Sequence, residues 1–130
     1  MMTFELKVML AIAFLYWFLG HVGVPTKTRI AGLAWNMGNR ETSPQFPAWT
    51  DRADRAQRNL LESLPLYFAL AICLTSCGIS NTYTQLGAWL FLGGRLAHAA
   101  IFIAGIPIIR TLAYAVAIAG LMLMAIPLIK

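Results

Sequence analysis

The segment Asp51-Arg52-Ala53-Asp54-Arg55-Ala56-Gln57-Arg58-Asn59-Leu60-Leu61-Glu62-Ser63-Leu64-Pro65 carries charge straight into an apolar run. At about 100° per residue, Asp51, Arg52, Arg55, Arg58, Asn59 and Glu62 fall within an arc of roughly 120° on one helix. A solvated helix start with i,i+4 pairs such as Asp51–Arg55 and Arg58–Glu62 would account for Asp51 and Asp54. It accounts less well for Asn59 and Glu62, because apolar sequence begins at Leu60. Later in the chain Arg95, His98 and Phe102 recur at i, i+3 and i+7, one helical face, and Arg110, Thr111 and Tyr114 open the next apolar run. An arginine in the middle of an apolar span costs roughly 2.5–3.5 kcal/mol, so it faces protein and pairs. Glu62 is the expected partner of Arg95, an ion pair that would serve equally well as a plain interhelical clamp. Arg110 alone would read as a snorkelling interfacial cation. Brought together, Arg55, Arg58, His98 and Arg110 would form a cationic, partly dehydrated pocket for an anionic, amphipathic guest. A thiol bound there would be driven towards thiolate.

The elements that must position these residues follow from composition. The 130 residues are 59% hydrophobic and only 12% charged, with a mean hydropathy of +0.69. Soluble chains are about 45–50% apolar and about 25% charged, so the excess must face lipid. At about 20 residues per spanning helix there is room for four spans and no second domain. Two cysteines in an oily segment exclude a secreted disulfide scaffold, and the low charge excludes disorder. The net charge of +5 and pI near 9.7 do not point to nucleic acid. Lys27, Arg29, Arg40, Arg52, Arg55, Arg58 and Arg110 gather at two connections, as the positive-inside rule expects of cytoplasmic loops.

The expected architecture is an all-α membrane protein, a single four-helix domain over residues 1–130 with spans at about 4–24, 52–77, 83–104 and 111–129. The first run lacks a clearly positive start and a small-x-small cleavage site and reads as a retained span. Glu5 and Lys7 stand at its mouth, and Pro25 is expected to stop it. Residues 25–50 form the long polar connection, on the cytoplasmic side with the Gly105–Arg110 turn; both termini are then non-cytoplasmic. Lys130 is the first charge after Arg110.

Arg52-x-x-Arg55-Ala56-x-x-Asn59-x-x-Glu62-x-x-Pro65 resembles the second-helix signature of the membrane-associated proteins in eicosanoid and glutathione metabolism, the MAPEG family. Gly94-Arg95-Leu96-Ala97-His98, then Pro107-Ile108-Ile109-Arg110-Thr111 and Tyr114, resemble the later part of that family, in its microsomal prostaglandin E synthase and bacterial branches. The similarity covers about Asp51 to Ala125, and the first helix by length and hydropathy alone. It implies a homotrimer of four-helix protomers with glutathione as co-substrate, bound between neighbouring subunits near the cytoplasmic face. The bacterial branch would place it in a bacterial inner membrane. By motif, Arg55, Arg58, Asn59 and Glu62 would frame the glutathione peptide, and Arg95 would be structural or line the pocket with His98 beside it. Arg110 would hold the sulfur as thiolate for attack on a lipophilic electrophile or peroxide, with Thr111 and Tyr114 adding contacts. Arg29 would approach a neighbour's pocket. The resemblance departs at Phe102, where many relatives carry tyrosine seven residues after the third-helix arginine, so a phenol donor is missing.

Other signals carry less. Cys73 and Cys77, four apart, read as small buried residues rather than a redox pair. His98 has no second ligand at metal spacing, so no metal is expected. Gly93, Gly94, Ala97, Ala99 and Ala100 suggest close helix packing. Three functions compete. The first is a glutathione-dependent transferase or peroxidase acting on lipophilic substrates from the bilayer. The second is a non-catalytic lipid-binding or scaffolding protein of the same fold, which Phe102 favours. The third, a small four-span transporter, would need an acid within the first span.

Overall fold

The computed structural model describes residues 1–129; Lys130, the charge expected after the last span, lies outside the described residues. The chain is all-helical, in the order α1 (Phe4–His21), α2 (Val24–Ala31), α3 (Leu33–Met37), α4 (Ala48–Ser76), α5 (Thr82–Ala104) and α6 (Pro107–Ile129). Four stretches are long and apolar enough to cross a membrane: Phe4–Ala31, Ala48–Ser76, Thr82–Ala104 and Pro107–Ile129.

The 25–50 connection is not irregular throughout. Val22 and Gly23 hold a short break, and Pro25 then lies in the first turn of α2. Proline suits that place because the amide it lacks would have had no intrahelical partner. Lys27 of α2 makes an ion pair with Asp54 of α4. α4 begins at Ala48 after Pro47, about one turn before the expected start at about residue 52. α6 likewise begins at Pro107, so Arg110 sits in its first turn rather than in the connection.

α1, α4 and α5 share a core of Val8, Ile12, Leu19, Leu60, Leu64, Tyr67, Leu74 and Phe91, with the Tyr67 and Phe91 rings stacked 4.7 Å apart. α6 packs on α5 through small residues. A Cβ on Gly94 would lie 2.8 Å from the Ala113 carbonyl oxygen, and one on Gly120 would lie 2.5 Å from that of Gly87. Backbones this close leave room only for glycine and give the dispersion contacts that join helices in lipid. Gly94 was expected in such packing. Gly93 was too, but it faces open space.

Glu5 stands in the first turn of α1, at the mouth of the span as expected, and is fully buried there, accepting hydrogen bonds from the Ser80 and Thr84 hydroxyls. One more expectation is corrected. Cys73 and Cys77 are exposed. Steps of four keep both on the outer side of α4, while Leu74, turned about 100° away, is the buried residue.

Candidate functional site

α5 ends at Ala104, and Gly105 takes the left-handed conformation (φ 84°) that closes the helix. Only Gly105 and Ile106 separate α5 from α6, so the last turns of one helix lie against the first turns of the other. Arg52 of α4 fastens this corner, its Nε–H donating to the Ile103 carbonyl at 2.7 Å. The corner holds a cavity of about 230 Å³ lined by Asn59, His98, Phe102, Arg110, Thr111 and Tyr114. Spacing along three helices has thus gathered six of the residues selected from sequence.

Two arginines stand on aromatic faces here. The Arg110 guanidinium carbon lies 4.3 Å from the Phe102 ring centroid, and that of Arg95 lies 5.4 Å from the Tyr114 ring. His98 is between them, 5.5 Å from Phe102 and edge-on, and 6.0 Å from Tyr114. Arg95 is 1% exposed. Its Nη2 donates to Asn59 Oδ1 at 3.1 Å, while Nε and Nη1 are buried without a partner.

The direct Glu62–Arg95 ion pair is not formed. Among the described residues the ion pair within 4.0 Å is Lys27–Asp54. Asn59, one turn before Glu62, takes the arginine instead and donates from Nδ2 to Glu62 Oε2 at 3.4 Å, so the two charges are joined through an amide. The i,i+4 pairs Asp51–Arg55 and Arg58–Glu62 are absent on the same ground.

Not every selected residue reaches the cavity. Arg55 and Arg58 line a separate cleft of about 280 Å³ with Asp51 and Asp54. Arg55, Arg58 and Glu62 are all exposed on the outer face of α4, and Arg29 is exposed at the end of α2. Both spaces are smaller than the ~300 Å³ at which ligand pockets usually begin. Among the described residues, no three His, Cys, Asp or Glu side chains converge as a metal site.

Residues 6–129 match the sequence model of the MAPEG family, nearly the whole chain. The chain belongs to the MAPEG family. No curated protein and no solved structure matches it. A MAPEG chain with four spanning helices is an integral, multi-pass membrane protein, and membership suggests a glutathione-related or eicosanoid-related function in general. Sequence reasoning missed three features of this MAPEG protein: the burial of Glu5, the Gly87–Gly120 contact and the Arg52 bond across the corner. For the glycines a signal was present, since Gly87 and Gly94 are seven residues apart on one face of α5.

Proposed function

We propose that this MAPEG protein is a glutathione-dependent membrane enzyme, of transferase or peroxidase type, that holds the glutathione sulfur as thiolate for attack on lipophilic electrophiles. The observation that carries this reading is the Arg110 corner. It is a cavity between three membrane helices, and its Arg110 guanidinium has no hydrogen-bonded or ion-paired partner among the described residues. An arginine remains charged in a partly dehydrated place and offers a planar set of donors, which suits a thiolate. Two of the other polar groups lining the cavity are committed: Asn59 on both sides of its amide, and Thr111 to the Pro107 carbonyl at 3.4 Å.

The wider site is built between copies in a homotrimer. Arg55, Arg58 and Glu62 point outward from a helix that enters the membrane, and charge facing hydrocarbon is costly. A neighbouring copy would cover that stripe and join the small cleft and the small cavity into a space that accommodates a tripeptide. The basic connections would lie on the cytoplasmic side, with the substrate entering from the bilayer.

The test is ultraviolet difference absorbance for thiolate when glutathione is added to detergent-purified protein. Wild type should give the thiolate band at neutral pH, and Arg110→Ala should abolish it while the assembly stays intact. No band in either protein would overturn the reading and direct attention to lipid binding without turnover, the alternative that Phe102 in place of tyrosine favours.

A further inference from the structure

We infer that Phe102 is a positioning residue for Arg110, whose guanidinium it fixes over the cavity through its ring face. The inference rests on the thiolate reading above and adds to it how the arginine is aimed. Arg110 sits in the first turn of α6 and Phe102 in the last turn of α5, separated by a two-residue corner whose geometry Gly105 sets. Their 4.3 Å separation is well inside the ~6 Å reach of a cation–π contact. Among the described residues no carboxylate or carbonyl engages the Arg110 side chain, so the ring face is the contact that orients it.

The chemistry of that choice differs from a hydrogen bond. A carboxylate partner would neutralise the guanidinium and occupy its N–H groups. A ring face attracts the cation through its quadrupole and takes none of the five donors. Arg110 is thereby oriented with its donors free for a guest anion. His98 packs against the same ring at 5.5 Å with the two planes 64° apart, a second contact that restricts the rotation of Phe102. The missing phenol has a consequence too: Phe102 cannot donate to sulfur, which leaves thiolate stabilisation concentrated on Arg110.

The experiment measures thiolate absorbance against pH at saturating glutathione, with binding measured separately by calorimetry. Wild type is compared with Phe102→Leu and Phe102→Tyr, and with ring-fluorinated phenylalanines at position 102. Phe102→Leu should raise the midpoint of the thiolate titration by about one pH unit, a tenfold loss in the ionisation constant. Glutathione affinity should change much less. Phe102→Tyr, which keeps the ring face, should recover most of that loss. Successive fluorines, which drain the ring face while keeping its shape, should lower the yield stepwise and hold the inference testable if the leucine variant does not fold. A pH profile unchanged in Phe102→Leu or flat across the fluorinated series would overturn the positioning role alone. Absence of thiolate in wild type would overturn the site reading and this inference with it.

Discussion

The bundle carries buried charge at both ends, and the two ends treat it differently. At the end formed by the start of α1 and the α4–α5 turn, Glu5 is completely enclosed. Ser80 donates to it at 3.1 Å and Thr84 bonds it as well, while Gln85 in turn donates to Ser80 at 3.3 Å. The Tyr67 hydroxyl donates to the Glu5 carbonyl at 3.0 Å. Glu5 has no ion-paired cation among the described residues, yet it lies against the first turn of α5, where the helix dipole and the capping hydroxyls favour an anion. That network is closed on itself. At the other end Arg95 has two buried nitrogens without partners, and Arg110 is oriented by a ring. A polar cluster that is satisfied and filled joins helices, whereas one with free donors beside a cavity is suited to a guest.

The largest expected effect separates the two ends by their helices. The Glu5 network uses α1, α4 and α5, while the cavity depends on α6 lying against α5. Gly94→Leu would drive a side chain into the Ala113 carbonyl and the Ala117 backbone, both now within 3.0 Å of a bare Cβ. The penalty is expected at or above the ~3 kcal/mol upper end for overpacking. Thiolate formation should vanish, while hydrogen exchange at the buried Tyr67 and Thr84 stays slow. Fast exchange at both ends would show that the ends are one cooperative unit and erase the distinction.

A smaller effect comes from removing each charge. Glu5→Leu leaves Ser80 and Thr84 without their acceptor and should lower unfolding stability by about 1–3 kcal/mol. Thiolate yield per folded molecule should persist. Arg95→Met removes a buried cation with uncommitted donors and replaces it with an apolar chain of similar length. Relief from burying an under-paired charge offsets the loss of the one hydrogen bond to Asn59 Oδ1, so the melting temperature in detergent should fall less than in Glu5→Leu while glutathione affinity falls. The reverse pattern, a stability loss at Arg95 and a binding loss at Glu5, would break the comparison.

How much of this the sequence made legible depends on the range of the interaction. The face holding Arg95, His98 and Phe102 follows from helical period alone, and the tight corner brings Arg110, Thr111 and Tyr114 to it. The partner of Arg95 did not follow. Asn59 and Glu62 are three residues apart on one stripe, and the rotation of α4 against α5 decides which one the guanidinium meets. Glu5 was illegible for a different reason: its acceptor role is defined by hydroxyls 75 and 79 residues away, which no local pattern connects to it. Pro25 was misread because proline both ends and begins helices, and only the break at Val22–Gly23 distinguishes the two.

The smallest expected effect falls on the feature that looks most like a conventional stabilising contact. Lys27 and Asp54 form an ion pair between α2 and α4, but their side chains are 18% and 35% exposed. An exposed pair loses most of its Coulomb gain to water and to the cost of ordering two flexible side chains, and is generally worth under about 1 kcal/mol. Asp54→Asn should therefore shift chemical unfolding by less than about 1 kcal/mol, and by less again in 0.5 M salt, where the Debye length is only a few ångströms. Glu5→Leu measured in the same two buffers should show no such salt dependence, because its carboxylate is out of reach of ions. If Asp54→Asn instead cost as much as Glu5→Leu and ignored salt, formal charge pairing rather than enclosure would be what stabilises this bundle. The Glu5 end would then owe its strength to something other than the closed hydroxyl network.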